Sequence, residues 1–209
     1  MLRREQTADP DLLARVHAVK SFQQARFIAD YAGFLEIPRY RAAAQFFLQE
    51  LYGPADFANR DAQFSRIVPT LSKLLPEEVL QSVAGMAQLH ALTEALDQAM
   101  AQASPYPVND DTSYGHAWRT VGKRADREKQ LALLLNVGAA IERHTRSAVV
   151  RTTLRMMRGP ARAAGFERLQ MFLETGVAAF AAMGGARQFL ETIARNERRV
   201  IDYYFAHKE

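Results

Sequence analysis

The sequence contains no cysteine. That excludes a disulfide framework, a thiolate nucleophile and any cysteine-based metal site, and it suits a reducing compartment. Strand signals are scarce: no Asn-Gly or Asp-Gly pair marks a hairpin turn, and alternating β-branched runs are missing. The longest apolar stretches, around Leu131–Ile141 and Val177–Met183, fall far short of a membrane span. Arg3 and Arg4 are followed by no apolar run, so no secretory signal is expected. There is no Walker loop, no Gly-x-Gly-x-x-Gly turn and no Gly-x-Ser-x-Gly elbow. Paired Glu-x-x-His motifs and a two-histidine zinc helix are also missing. The nearest approach is His90 with Glu94, one turn apart, and His17, His116, His144 and His207 are scattered. A cytoplasmic protein without chemistry of its own, metal or membrane attachment is the expectation.

What remains is helix-forming material. The 209 residues are 48% hydrophobic and 24% charged, enough for a core and too apolar for disorder. Proline and glycine cut the chain into segments with helical periodicity. Asp9 and Pro10 read as the cap and first residue of a helix reaching Glu36, with Leu12, Val16, Val19, Ile28, Tyr31 and Leu35 as its apolar stripe. Pro38 ends it, and a second helix spans Arg39–Tyr52 before Gly53-Pro54. A third runs from Asn59 or Arg60 to Leu75, kinked or split at Pro69. Pro76-Glu77-Glu78 opens a fourth, to Gln102. After the loop Ser104–Asp111 come a short helix at Ser113–Val121 and a long one at Asp126–Arg158, interrupted near Thr145. Gly159-Pro160 and Gly184-Gly185 then delimit helices at Ala161–Met183 and Ala186–Ala206. The fold expected is all-α: one domain over residues 1–209, residues 1–8 a flexible lead, seven to nine helices in a bundle, with a globin-like arrangement as a variant.

Two blocks carry a family resemblance. Phe46-Phe47-Leu48-Gln49-Glu50-Leu51-Tyr52-Gly53-Pro54-Ala55-Asp56-Phe57, continued by Arg60-Asp61-Ala62-Gln63-Phe64-Ser65-Arg66-Ile67-Val68-Pro69, resembles the signature of an uncharacterised bacterial helical family, a domain of unknown function. Phe189-Leu190-Glu191-Thr192-Ile193-Ala194-Arg195-Asn196-Glu197 resembles it too. The resemblance implies a helical bacterial protein and no particular activity. A more distant one is to globins: an aromatic pair, Phe46-Phe47, precedes Gln63 and then His90 in the order of a distal glutamine and a proximal histidine. It implies haem as cofactor, with His90, Gln63, Phe47 and Phe57 around it.

His90 falls on the same helical face as Val79, Val83 and Met86. A buried imidazole there needs a hydrogen-bond partner or a metal; the plainer alternative to haem is a core histidine bonded to a neighbour. Gln63 sits at the edge of its apolar arc, where it meets either a haem ligand or water. The aromatics Phe46, Phe47, Tyr52, Phe57 and Phe64 form either a pocket wall or ordinary core.

Charge is uneven. Arg119 to Arg168 holds twelve Lys or Arg against four Asp or Glu, a local +8 in a chain of net charge +4. Within it Arg151, Arg155 and Arg158 share one helical face, with His144 on nearly the same side, a row able to grip an anion. Pro160-Ala161-Arg162-Ala163-Ala164-Gly165-Phe166-Glu167-Arg168-Leu169 faintly resembles a helix-turn-helix. Three readings result. The first is a binding protein that meets a protein partner or a second copy of itself. The second is a haem-binding sensor. The third is a binder of anionic ligands or nucleic acid through the arginine row, nucleic acid being the least expected partner.

Overall fold

Asp9 accepts the Leu12 amide at 3.0 Å and Pro10 follows as the first helical residue, so the chain enters its first helix where the sequence places it. This is α1, Pro10–Glu36. The residue before a proline is pushed out of the helical region, and Ile37 accordingly turns extended ahead of Pro38, which begins α2, Pro38–Phe46. The computed structural model describes residues 9–48 and 77–206, apart from the side chains of Glu78, Val79 and Leu169. After α2 the described helices are α3 (Glu77–Ala103), α4 (Asp111–Val121), α5 (Arg124–Thr145), α6 (Ala148–Met156), α7 (Arg158–Ala163), α8 (Glu167–Ala182) and α9 (Arg187–Ala206). Among the described residues there is no strand, and no helix is long and apolar enough to cross a membrane. The fold is an all-α multi-helix bundle. The helix expected between Asn59 and Leu75 lies outside the described residues.

Several boundaries differ from expectation, each for a local reason. The short helix begins at Asp111, two residues early, because Asp110 and Ser113 form a reciprocal capping box there. The long basic helix divides at Thr145, where an interruption was expected: α5 ends, and Ser147 accepts the Val150 amide at 3.3 Å to start α6. The break expected at Gly159-Pro160 falls just before it, at Met157. Gly159 and Pro160 lie in the first turn of α7, where a missing amide hydrogen costs nothing. A second break comes at Gly165, whose φ of 76° is one that glycine adopts without strain. On α1 the buried stripe is Leu12, Val16, Val19, Gln23, Phe27, Tyr31 and Phe34, in steps of three and four. Ile28 falls off that stripe and is 46% exposed.

The core has two aromatic nodes. Phe189 of α9 is almost fully buried, 4.5 Å from the Phe34 ring of α1 and near Tyr40 of α2 and Phe180 of α8, so four helices meet on one ring. Tyr114 and Trp118 of α4 form the second, packed on Tyr204 of α9 and, through Tyr114, on Phe22 of α1. Tyr204 thereby docks the end of α9 on the body, and its hydroxyl donates to Asp111 at 2.6 Å. Helix α5 packs against α3, α8 and α9 and so occupies the middle of the bundle.

Polar clamps join the same helices. Arg26 of α1 grips Glu197 of α9 with both terminal nitrogens, at 3.1 and 2.8 Å, and Tyr31 donates to the same carboxylate at 2.7 Å. Burial opposes the Arg26 charge, but the Glu197 carboxylate more than offsets it and holds the guanidinium ionised. Both side chains are largely buried, at 13% and 12% exposure. Replacing Glu197 with Gln leaves the guanidinium only the more exposed Asp30 as counter-charge, which costs about 3 kcal/mol. Glu197→Gln is therefore expected to lower Tm markedly in a thermal melt, whereas Asp30→Asn, at the exposed end of the same arginine, shifts it little. At the α2–α8 crossing a Cβ on Gly176 would stand 2.8 Å from Cζ of Phe46, a ring held in turn against Phe172 at 5.2 Å. Gly176→Val should lower stability by about 2 kcal/mol through overpacking, read as a lower denaturation midpoint with an unchanged m-value.

Candidate functional site

Arg151, Arg155 and Arg158 were expected on one helical face, and they line one groove. It lies between α6 with the start of α7 on one side and α8 on the other, and has a volume of about 360 Å³. The arginines stand along one wall with Leu154, while Val177, Ala178 and Ala181 of α8 give an apolar surface opposite. Arg151 and Arg155 stand about one turn apart on α6, and Arg158 opens α7 after the turn at Met157.

Each arginine is held differently. Arg158 forms a two-pronged pair with Glu174 of α8, Nε to Oε1 and Nη2 to Oε2, both at 2.7 Å. That bond raises the Arg158 pKa and keeps the Glu174 carboxyl below its usual range. Gln170 steadies the pair by donating to Glu174 at 2.8 Å and to the Leu154 carbonyl at 2.5 Å. Arg151 donates to the Thr145 carbonyl at 2.5 Å, and a carbonyl leaves its charge uncompensated. Arg155 is exposed, feels the Glu174 charge, and hydrogen-bonds nothing among the described residues. The groove thus presents three positive charges against one negative.

Helix α6 itself has no buried residue. Val150, Leu154 and Met157 turn half-buried toward the body, the arginines occupy one flank, and Val149 and Met156 are exposed on the other. His144 is not part of the row. The break after Thr145 separates it from α6, and its Nε2 meets Ser82 Oγ of α3 at 2.9 Å. The segment with helix-turn-helix character does form a helix, a turn at Gly165 and a second helix. However, α7 has only six residues, and α8 buries Phe172, Gly176, Ala179 and Phe180 in the bundle.

Of the residues of the haem reading, Phe47 and His90 are described, and Gln63 and Phe57 lie outside the described residues. Phe47 is buried, with its ring 6.1 Å from Phe27. His90 is half-buried on α3. No group of three or more metal-ligating side chains occurs among the described residues.

Sequence patterning missed a second feature, a pocket of mixed polar and apolar lining between helices. It lies between α1, α4, α5 and α9, where Arg26, Trp118, Arg127 and Glu197 stand beside Phe27, Leu131, Leu134 and Ile201. Arg127 is 5% exposed although it sits in a run of charged residues that reads as a solvated face. Its guanidinium lies 3.9 Å from the centre of the Trp118 ring, and it donates to Gln130 at 3.2 Å and to Met100 Sδ at 2.8 Å. The signal for it was Trp118 itself: the only tryptophan in a chain rich in arginine.

Beside this cavity Asp97 of α3 is 1% exposed and accepts from Gln23 at 2.8 Å. Burial pushes its carboxyl above the ordinary carboxylate range, against the pull of Arg127. An acid whose pKa rises on folding holds its proton more tightly in the folded state. Its contribution favours folding below the unfolded value of about 3.9 and is lost as pH rises through the folded value. Asp97→Asn keeps an acceptor for Gln23 and removes that loss. Its Tm at about pH 8 should equal or exceed that of the parent, an advantage that shrinks toward about pH 4; a variant clearly less stable at the higher pH would show ionised Asp97 to be favourable.

Comparison with known proteins matches the chain to the model of a domain of unknown function, DUF8198, over residues 2–209. No curated protein and no solved structure matches. The match takes in both sequence blocks, the arginine groove and the interior cavity, so the chain belongs to the DUF8198 family.

Proposed function

We propose that this protein is a binding protein without chemistry of its own, and that the groove between α6 and α8 receives an acidic, amphipathic helix of a protein partner. The observation that carries this reading is the charge and shape of the groove. Three guanidiniums at helical spacing stand over an apolar strip, and one carboxylate faces them. Acidic side chains four and three residues apart on a partner helix match that spacing, and its leucine or alanine side chains fit against Val177, Ala178 and Ala181. A helix with no buried residue of its own can also shift toward such a partner at little cost in core packing.

A peptide partner suits the groove better than duplex nucleic acid. An apolar wall offers nothing to phosphates, and α8 is committed to the bundle core through Phe172 and Phe180. Self-association would use the same surface only if a second copy supplied the acidic helix, and light scattering separates that case.

The test uses a labelled helical peptide with glutamates at i, i+4 and i+7 and leucines on the adjoining face. Fluorescence anisotropy should show binding at about 50 mM salt that weakens steeply by about 300 mM. Arg151→Glu combined with Arg155→Glu should weaken it at least about tenfold, or about 1.4 kcal/mol. Arg158 is left in place because it anchors α8 through Glu174. No binding at low salt, or equal binding by the double variant, would overturn the proposal.

A further inference from the structure

The groove between α6 and α8 is partly occupied from within. Arg158 on one wall and Glu174 on the other are joined across it, Nε to Oε1 and Nη2 to Oε2, both at 2.7 Å. An incoming carboxylate would meet the same guanidinium in the same forked geometry. Glu174 has little room to withdraw. It rises from α8, whose Phe172 and Phe180 are buried in the core, and Gln170 one turn back donates to its Oε1 at 2.8 Å. The bond from Arg158 holds its carboxyl below the usual range, so it stays charged wherever a partner's glutamates do. The three arginines are therefore unequal. Arg158 holds Glu174, Arg155 feels the same charge, and Arg151 is bonded to the Thr145 carbonyl.

We propose, on the reading of the groove given above, that Glu174 is a built-in competitor for the place opposite Arg158. The resting groove then recognises an acidic pair through Arg151 and Arg155, and takes a third acid only against the Glu174 charge. Like charges brought into one site are how an interface rejects a near-fit. The exposure of the pair suits this role. Arg158 and Glu174 are 63% and 24% exposed, against 13% and 12% for Arg26 and Glu197. Exposed ion pairs add little to stability. Loss of the Glu174 charge should thus change what binds and leave the fold intact.

Glu174→Gln keeps an oxygen for Arg158 and for Gln170 and removes only the charge. The labelled peptide with glutamates at i, i+4 and i+7 is compared with two forms in which the first or the last glutamate is replaced by glutamine. Against the full parent chain at about 50 mM salt, one of these replacements should weaken binding and the other should change it by less than about twofold. The silent glutamate is the one at Arg158. Glu174→Gln should bind the full peptide at least about fivefold more tightly than the parent does, and should gain clearly less for the peptide that lacks the silent glutamate. An equal gain for all three peptides, or no gain, overturns the competitor and leaves the groove reading standing. If the variant does not fold by circular dichroism, the parent decides: equal losses on replacing either terminal glutamate would leave no occupied place and overturn it. Absence of binding by every peptide at low salt overturns the groove reading and the competitor with it.

Discussion

The grip of Glu197 on Arg26 is the constraint on which the rest of the interior depends. It ties the first long helix to the last, in a region where Tyr31 also donates into the same carboxylate. A bidentate pair fixes orientation as well as distance. With both terminal nitrogens committed, the guanidinium cannot rotate, and the direction of its Nε–H is fixed with it. The aromatic packing of Tyr204 on Tyr114 and Trp118 lies one to two turns further along α9, so the placement of the indole follows from the same seating of the helix. Removing the carboxylate would therefore do more than break one ion pair: it would release α9 and the geometry of the cavity wall together.

The outer edge of the molecule is built on a different principle. Helix α6 is held by half-buried Val150, Leu154 and Met157, by one side-chain bond from Gln170 and by the Arg158–Glu174 pair. None of these is a deep core contact. Exposed ion pairs contribute little to stability, so the Arg158–Glu174 pair matters for where it puts the helix. It sets the distance between the arginine wall and α8, and hence the width of the groove. A rigid interior and a lightly attached rim are what a binding surface on a stable scaffold requires.

Much of the architecture was legible because proline, glycine and capping residues carry local physics. Asp9-Pro10, Pro38 and Gly184-Gly185 mark helix ends in the chain and in space. Gly159-Pro160 misled because a proline interrupts a helix only past its first turn, and whether a new helix starts just before it depends on what precedes it. The arginine row was legible because spacing of four and three keeps residues to one side, and the turn at Met157 between Arg155 and Arg158 leaves all three on the groove. The cavity was not. Arg26, Arg127 and Glu197 lie in segments whose composition suits a solvated face, and only the tertiary pairing of α1, α4, α5 and α9 turns those side chains inward. Asp97 is hidden for the same reason: a lone acid beside apolar neighbours looks like a boundary residue until its helix is packed on both sides.

The charge asymmetry shows how far composition carries toward function and where geometry takes over. The segment Arg119–Arg168 has an excess of eight positive charges, but much of it is answered from elsewhere in the fold. Arg124 meets Asp202 of α9, and Arg158 meets Glu174 of α8; both acids lie outside the segment. Arg146 is paired with Glu142 one turn away, and Arg127 is inside the bundle against Trp118. What reaches a partner is thus a local remainder. In the groove it is Arg151, bonded only to a neutral carbonyl, and Arg155, which no carboxylate holds directly. In the interior Arg26 is matched by Glu197 and Asp30, and Arg127 lies against Trp118 with the Asp97 carboxyl acting on it. The groove is where the fold stops short of neutralising its own arginines, at a rim where solvent screens the charge that is left.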